Sequence, residues 1–413
     1  MNARHSVATS ILLIAMLVLT AEVSPAMAAS GPDAVCPSYN AVVPGLDYAH
    51  LQMTNWDSGQ PLSAHIARLD RTRKDLRLVS TLAQGQVFGT APVSAIAKAF
   101  PKEQGEPLVA INTGFCIRIK HPYRGAPRGM VITDGELISS PGICGMNYTF
   151  WSDPSGDLHF GQFEPAFQAT LPNGTSVPIG LNHECSSNAV VLFTHMLGNS
   201  TRATNNLELV LEDSAHKPLA WRVGESYVLK VKAVNPAGNS ALSKTTAVLS
   251  FGSQASAKAG KLQPGDQIKL QLKISPELKN VTTACHAIFP VVQQGKPLEK
   301  FDASGAIVRR NPRTAIGFND RYFYMVVVDG RQKALSMGLN AQELAQFMYR
   351  LGCTEAMNLD GGGSSTFWME GRTRNSVPGG VERDRSDALV IVKRSHGSTT
   401  AQTAQFPQLR DTH

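Results

Sequence analysis

Along this chain apolar and polar positions alternate in short runs broken by Gly, Pro, Asn and Asp, and helical spacing is rare. In the first half the pattern predicts strands over Ala64–Leu69, Leu76–Thr81, Leu108–Asn112 and Gly129–Ile132, with one helix over Val93–Phe100 stopped by Pro101. Between about 186 and 300 strands crowd together: Ala189–Thr194, Leu207–Glu212, Tyr227–Ala233, Ala247–Phe251 and Ile268–Ile274. In the last third Phe323–Val328 reads as a buried strand ending at Asp329-Gly330, and Asn340-Ala341-Gln342-Glu343 as a capping box. Leu344, Phe347, Met348 and Leu351 share one helical face, Gly352 stops the helix, and Ala356–Leu359 is a short strand that delivers Asp360 to its end. The expected fold class is α+β: a mixed, strand-rich sheet with a few helices and an embedded β-rich segment over 186–300.

Two geometries fit the 323–360 region. If the strands ending at Asp329 and Asp360 run parallel, the helix is a crossover and both acids reach one sheet edge. If Asp329-Gly330 is a hairpin turn into 333–337, they do not.

Composition adds compartment and partner. Arg4 and His5, the apolar run 11–19 and Ala26-Met27-Ala28 form a signal-peptide pattern over 1–28, too short to span a bilayer, so the chain is expected to be secreted or periplasmic with no stable membrane span. One domain is expected over 44–394 and a flexible Ser/Thr/Gln-rich tail over 395–413. Six cysteines in an oxidising compartment permit disulfides. Neither a Cys-x-x-Cys nor a His-x-His or His-Glu-x-x-His pair occurs, so no zinc motif is legible. The formal charge of +7 favours an anionic partner, but the basic residues are too dispersed for nucleic acid. Oligomeric state stays open.

The most chemical stretch is Asn358-Leu359-Asp360-Gly361-Gly362-Gly363-Ser364-Ser365-Thr366, which sets a carboxylate beside glycines that let the main chain approach a bound group closely. Arg313, at the start of a strand after Asn311-Pro312, suits an oxyanion because its planar fork donates paired hydrogen bonds. Asn112 ends the Leu108–Asn112 strand, where it could meet a sugar hydroxyl.

Taken in order, Ala110-Ile111-Asn112-Thr113-Gly114-Phe115, Gly129-Met130-Val131-Ile132, Asn311-Pro312-Arg313-Thr314-Ala315-Ile316-Gly317, Val327-Val328-Asp329-Gly330-Arg331, the 358–366 run and Glu382-Arg383 with Asp387-Ala388-Leu389 resemble the phosphodiester glycosidase family. Members include an enzyme that removes N-acetylglucosamine from a sugar phosphodiester. The resemblance runs from about Ser63 to Val392. It implies a hydrolase in which Asp360 is nucleophile or general base and Asp329 the second carboxylate. By the same resemblance Asn112, Arg313, Thr314, Asn358, Gly361, Gly362, Ser364, Ser365 and Arg383 bind substrate, with Arg313, Arg383 and the Gly361 and Gly362 amides on phosphate. No cofactor is implied, although a divalent cation on Asp329 and Asp360 is compatible with carboxylate chemistry. Two departures from the family pattern stand out: Cys116 after Gly-Phe, and Cys285-His286-Ala287-Ile288-Phe289-Pro290. The rival reading is a non-catalytic module that binds anionic exported polysaccharide through the same loop and arginines.

Overall fold

A computed structural model describes residues 34–395 except 57–58, 119–120, 143–147 and 302–304. The 1–28 signal pattern and all but the first residue of the 395–413 tail lie outside the described residues. Strand accounts for 43% and helix for 9%. The expected strand-rich sheet with a few helices and a β-rich middle is what the chain forms, but the fold is mostly β: among the described residues only Ala341–Arg350 sustains helical spacing over ten residues, while Val93–Lys98 and Gly305–Val308 are short.

An eight-stranded antiparallel sheet runs in the order Asn40–Val43, Leu46–Met53, Leu62–Asp70, Tyr322–Val328, Arg313–Phe318, Glu355–Asn358, Phe289–Gln293, Lys296–Pro297. A five-stranded sheet packs on it, ordered Arg372–Thr373, Phe367–Met369, Glu106–Asn112, Asp387–Lys393, Leu76–Leu82. Period-two alternation makes this sandwich: Ala67, Ile316, Met325 and Val327 of the first sheet meet Val109, Ile111, Phe367 and Leu389 of the second. The opposite face of the first sheet packs under Leu344, Phe347 and Met348 of the 341–350 helix, and that of the second under Val93, Ile96 and Ala97. The sandwich is thus helix, sheet, sheet, helix.

The β-rich middle is a second eight-stranded sheet with its own core around Phe167, Trp221, Leu249 and Leu270. It takes strands from Glu164–Thr170 to Gln267–Ser275. A further five-stranded sheet includes Thr283–His286, and the chain then re-enters the first sheet at Phe289–Gln293.

Tyr322–Val328 and Glu355–Asn358 are each antiparallel to the Arg313–Phe318 strand between them, so they run parallel to one another. The helix is therefore a crossover, capped by Asn340 and Glu343 as predicted, and Asp329 and Asp360 leave the same sheet edge. The hairpin alternative fails because residues 332–336 close a tight turn, whose Ser336 hydroxyl donates to the Asp329 carbonyl.

The disulfide expectation is corrected as well. Cys36, Cys116, Cys185, Cys285 and Cys353 are all unpaired, and Cys144 lies outside the described residues. Cys285 packs between the two sheets, Cys353 under the crossover helix, and Cys116 beside the candidate site, so an even count did not translate into adjacency. No helix among the described residues is long and apolar enough to cross a membrane.

Glu136 opens the Glu136–Ser139 strand with 24% of its side chain exposed, and burial pushes its carboxyl from the ordinary 4.5 up to about 7. Between those values the folded protein keeps a proton that the unfolded chain has lost, so stability falls as pH rises through the window. Glu136→Gln is expected to flatten that slope and to stabilise the protein at pH 8 by up to about 3 kcal/mol, read from urea midpoints at pH 5 and pH 8.

Candidate active site

Asp360 follows the Glu355–Asn358 strand into a loop clamped between the two packed sheets. Leu359 N donates to Thr314 O (2.8 Å) and Asp360 N to Thr113 O (3.0 Å). Gly362 takes φ +63, and its amide donates to Pro312 O. A Cβ at Gly363 would stand 2.5 Å from the Arg383 guanidinium, and one at Gly361 2.7 Å from Pro312 O. The Pro312 carbonyl therefore demands glycine at 361 and the left-handed backbone favours it at 362, while at 363 the crowding is with the movable end of Arg383. The Gly362 amide, expected on phosphate, is already committed.

Asp360 meets Arg385, whose Nη1 lies 2.8 Å from Asp360 Oδ2. The Arg385 side chain is 1% exposed, and it also donates to Ser364 Oγ (2.9 Å) and to Gly114 O (2.5 Å). Arg383 reaches the same Ser364 hydroxyl at 3.3 Å. These groups open on a cavity of about 380 Å³ lined by Phe115, Cys116, Arg118, Arg128, Asp360, Arg383 and Arg385. Four guanidinium groups thus line one cavity with a single carboxylate, a field built for an anion. Burial, then the neighbouring Arg118 charge, holds the Arg383 guanidinium below its ordinary range. A second hollow of about 230 Å³ adjoins through Arg118 and Arg383 and adds Thr90, Arg124, Glu382 and Asp384.

Asn112 and Thr314 support this loop from beneath. Asn112 donates to Asp360 O (2.6 Å) and accepts from Thr314 Oγ1 (2.8 Å) and Thr366 N (3.1 Å), so neither side chain is offered to a sugar. Asn358 donates to Leu359 O, while its Oδ1 and the Ser365 hydroxyl are buried without a hydrogen-bond partner among the described residues. Ser364 belongs to the site as the acceptor of both arginines.

Arg313, expected on phosphate, is placed away from the Asp360 cavity, with its guanidinium spent on backbone. It is buried, and it donates to the carbonyls of Leu339, Ala306, Ile307 and Arg309, holding the 305–308 turn against the sheet. Burial pulls its guanidinium down to about 10. Asp329, expected as the second carboxylate, stands apart from Asp360. The acids leave strands with one strand between them, roughly 10 Å apart at the backbone, and Asp329 does not line the Asp360 cavity. Its carboxylate accepts from Ser63 Oγ and Ser376 N, both at 2.7 Å. One cation shared by Asp329 and Asp360 has no support in this arrangement.

Arg385, Arg118 and Arg128 were not among the expected ligands. Arg385 was within reach of the pattern, because residues two apart in extended chain point the same way and Arg383 had already been singled out. Both departures from the family pattern touch the site: Cys116 lines the cavity, and His286 is buried against Gly114, where a Cβ would come within 2.4 Å of the imidazole. Burial holds that ring's pKa down, favouring its neutral form.

Residues 222–392 match the family described as phosphodiester glycosidase. A stretch of 83 residues is 39% identical to the SPbeta prophage-derived protein YomE of Bacillus subtilis (strain 168), covering 20% of this chain and 13% of that relative. Among solved structures, a Synechocystis protein is 21% identical at a TM-score of 0.68, covering 88% of this chain and 64% of its own. A protein of Burkholderia pseudomallei K96243 is 19% identical at 0.63, covering 82% and 75%. The likeness to these two is one of fold. The catalytic domain of zebrafish N-acetylglucosamine-1-phosphodiester alpha-N-acetylglucosaminidase is 17% identical at 0.46, covering 87% of each chain. This chain spans less than two thirds of the B. subtilis and Synechocystis relatives.

Proposed function

From the match of residues 222–392 to the phosphodiester glycosidase family, we propose that this chain is an exported hydrolase that cleaves a glycosyl phosphodiester in the Asp360 cavity. The observation that carries the reading is the arrangement itself: one carboxylate, 12% exposed, among Arg118, Arg128, Arg383 and Arg385. A phosphate leaving group needs its charge stabilised more than it needs a proton, so a single acid with several cations is a sufficient set. The arginines would hold the phosphate, and Asp360 would act at the anomeric carbon, as nucleophile or as base for a water. Arg385, 2.8 Å from its Oδ2, would hold that carboxylate in place. Export rests on the signal pattern over 1–28.

The test is release of sugar from an N-acetylglucosamine phosphodiester by the mature protein. Salt-sensitive retention of an anionic glycan without product on long incubation would replace this reading with the binding-module one. Arg383→Ala is expected to lower kcat/KM by about 10–100-fold, the worth of a charged hydrogen bond. The loss should fall in both constants, in KM because the diester is already anionic in the ground state and in kcat because its phosphate gains charge as it leaves. Steady-state kinetics at two ionic strengths checks this, with the variant the less salt-sensitive of the two.

A further inference from the structure

Asp329 lies in a second polar cluster at its end of the first sheet. The Leu46–Met53 and Leu62–Asp70 strands pair in a register that sets His50 opposite His65, with ring centroids 4.2 Å apart. Ser63 lies two residues before His65 and so shares its face. Asp329 comes in from the next strand, its amide donating to Ser63 O. His65 Nε2 stands 3.4 Å from Asp329 Oδ2, and His50 Nε2 stands 3.0 Å from the Ser63 hydroxyl that donates to the same oxygen. The donor atoms of His50, His65 and Asp329 all fall within 4.8 Å of one another.

We propose that His50, His65 and Asp329 form a binding site for a divalent transition metal of the zinc class, with the Ser63 hydroxyl or a water in the fourth position. Two imidazoles and one carboxylate are the donors such ions select, whereas calcium and magnesium prefer oxygen alone. Around a tetrahedral centre with bonds of about 2.0–2.2 Å, donors stand roughly 3.4 Å apart; His65 and Asp329 already stand at 3.4 Å, and the exposed His50 completes the set from within 4.8 Å. Outer contacts hold two donors toward that centre. Tyr48 OH meets His65 Nδ1 at 2.8 Å, leaving Nε2 for the ion, and Ser376 N occupies Asp329 Oδ1, so that Oδ2, which among the described residues accepts only from the Ser63 hydroxyl, is the oxygen turned to the ion. His65 and Asp329 are buried while His50 is exposed, which gives the ion a way in. The rival explanation is a plain hydrogen-bond network tying three strands together, and it predicts no metal affinity.

The deciding experiment titrates the metal-free, full mature protein with Co²⁺ and follows visible absorption and heat. One equivalent should bind with the intense visible bands of a four-coordinate ion, and Zn²⁺ should displace it. His65→Gln and His50→Gln should each weaken binding by more than the roughly 10–100-fold that loss of an outer partner costs. His195→Gln should leave it unchanged. Because His50 is exposed, His50→Gln keeps the test valid even where buried variants fail to fold. Absence of stoichiometric binding, or a His50→Gln protein that binds as tightly as wild type, overturns the site. Neither result touches the hydrolase reading, since none of these residues lines the arginine cavity.

Discussion

Asp360→Asn is expected to lower turnover of an N-acetylglucosamine phosphodiester by about 10²–10⁴-fold, the usual contribution of a positioned base. Asp360 is the one carboxylate among the residues lining the 380 Å³ cavity, and Asp329, which the family pattern suggested as its partner, is engaged elsewhere. Asparagine fills the same volume but can neither accept a proton nor attack carbon. It also leaves the buried Arg385 guanidinium without its ion-pair partner, so part of any lost activity will be lost fold. Turnover should therefore be normalised to the folded fraction measured by circular dichroism. Equal turnover by wild type and variant would remove Asp360 from the mechanism and leave the arginines as a binding site.

Arg385→Gln is expected to destabilise the protein by about 3–5 kcal/mol, the range for removing one partner of a buried pair. Arg385 is 1% exposed and ties Asp360, Ser364 and the Gly114 carbonyl together, so its loss strands a buried carboxylate and two acceptors at once. The double variant Asp360→Asn with Arg385→Gln removes both charges together. It should unfold at higher urea than the sum of the single effects predicts, with a coupling of roughly 1–3 kcal/mol, yet remain inactive. Strict additivity would mean that the pair contributes nothing to the fold. A double variant that regains activity would mean that Asp360 serves only to balance Arg385.

The course of the chain through the site was largely legible. The Asn340 capping box, the apolar face of the 341–350 helix and the run ending at Val328 all depend on neighbours within a few residues, and all appear where the pattern put them. The loop at 358–366 was legible for the same reason, since three consecutive glycines announce a close approach whatever approaches. Which way its neighbours point was not. Arg313 has the composition of an oxyanion ligand, but four backbone carbonyls, from Ala306 to Leu339, claim its guanidinium. Asn112 has the composition of a sugar ligand and is instead spent on Asp360, Thr314 and Thr366.

The alternation that makes strands, the 341–350 helix with its cap and the acid-bearing glycine loop were legible in sequence, as was a resemblance to one family, whereas the crossover geometry of that helix waited on the strand order. Only the tertiary structure decided that Asp360 stands with Arg118, Arg128, Arg383 and Arg385, and that Asp329 stands with His50 and His65. The reason is physical. Helix caps and glycine turns are settled by atoms a few bonds apart, whereas the partner of a charged side chain is set by strand register and by how the sheets pack. Register joins residues 15 apart at His50 and His65, and the packing of one sheet on the other brings together Asp360 and Arg385, 25 apart.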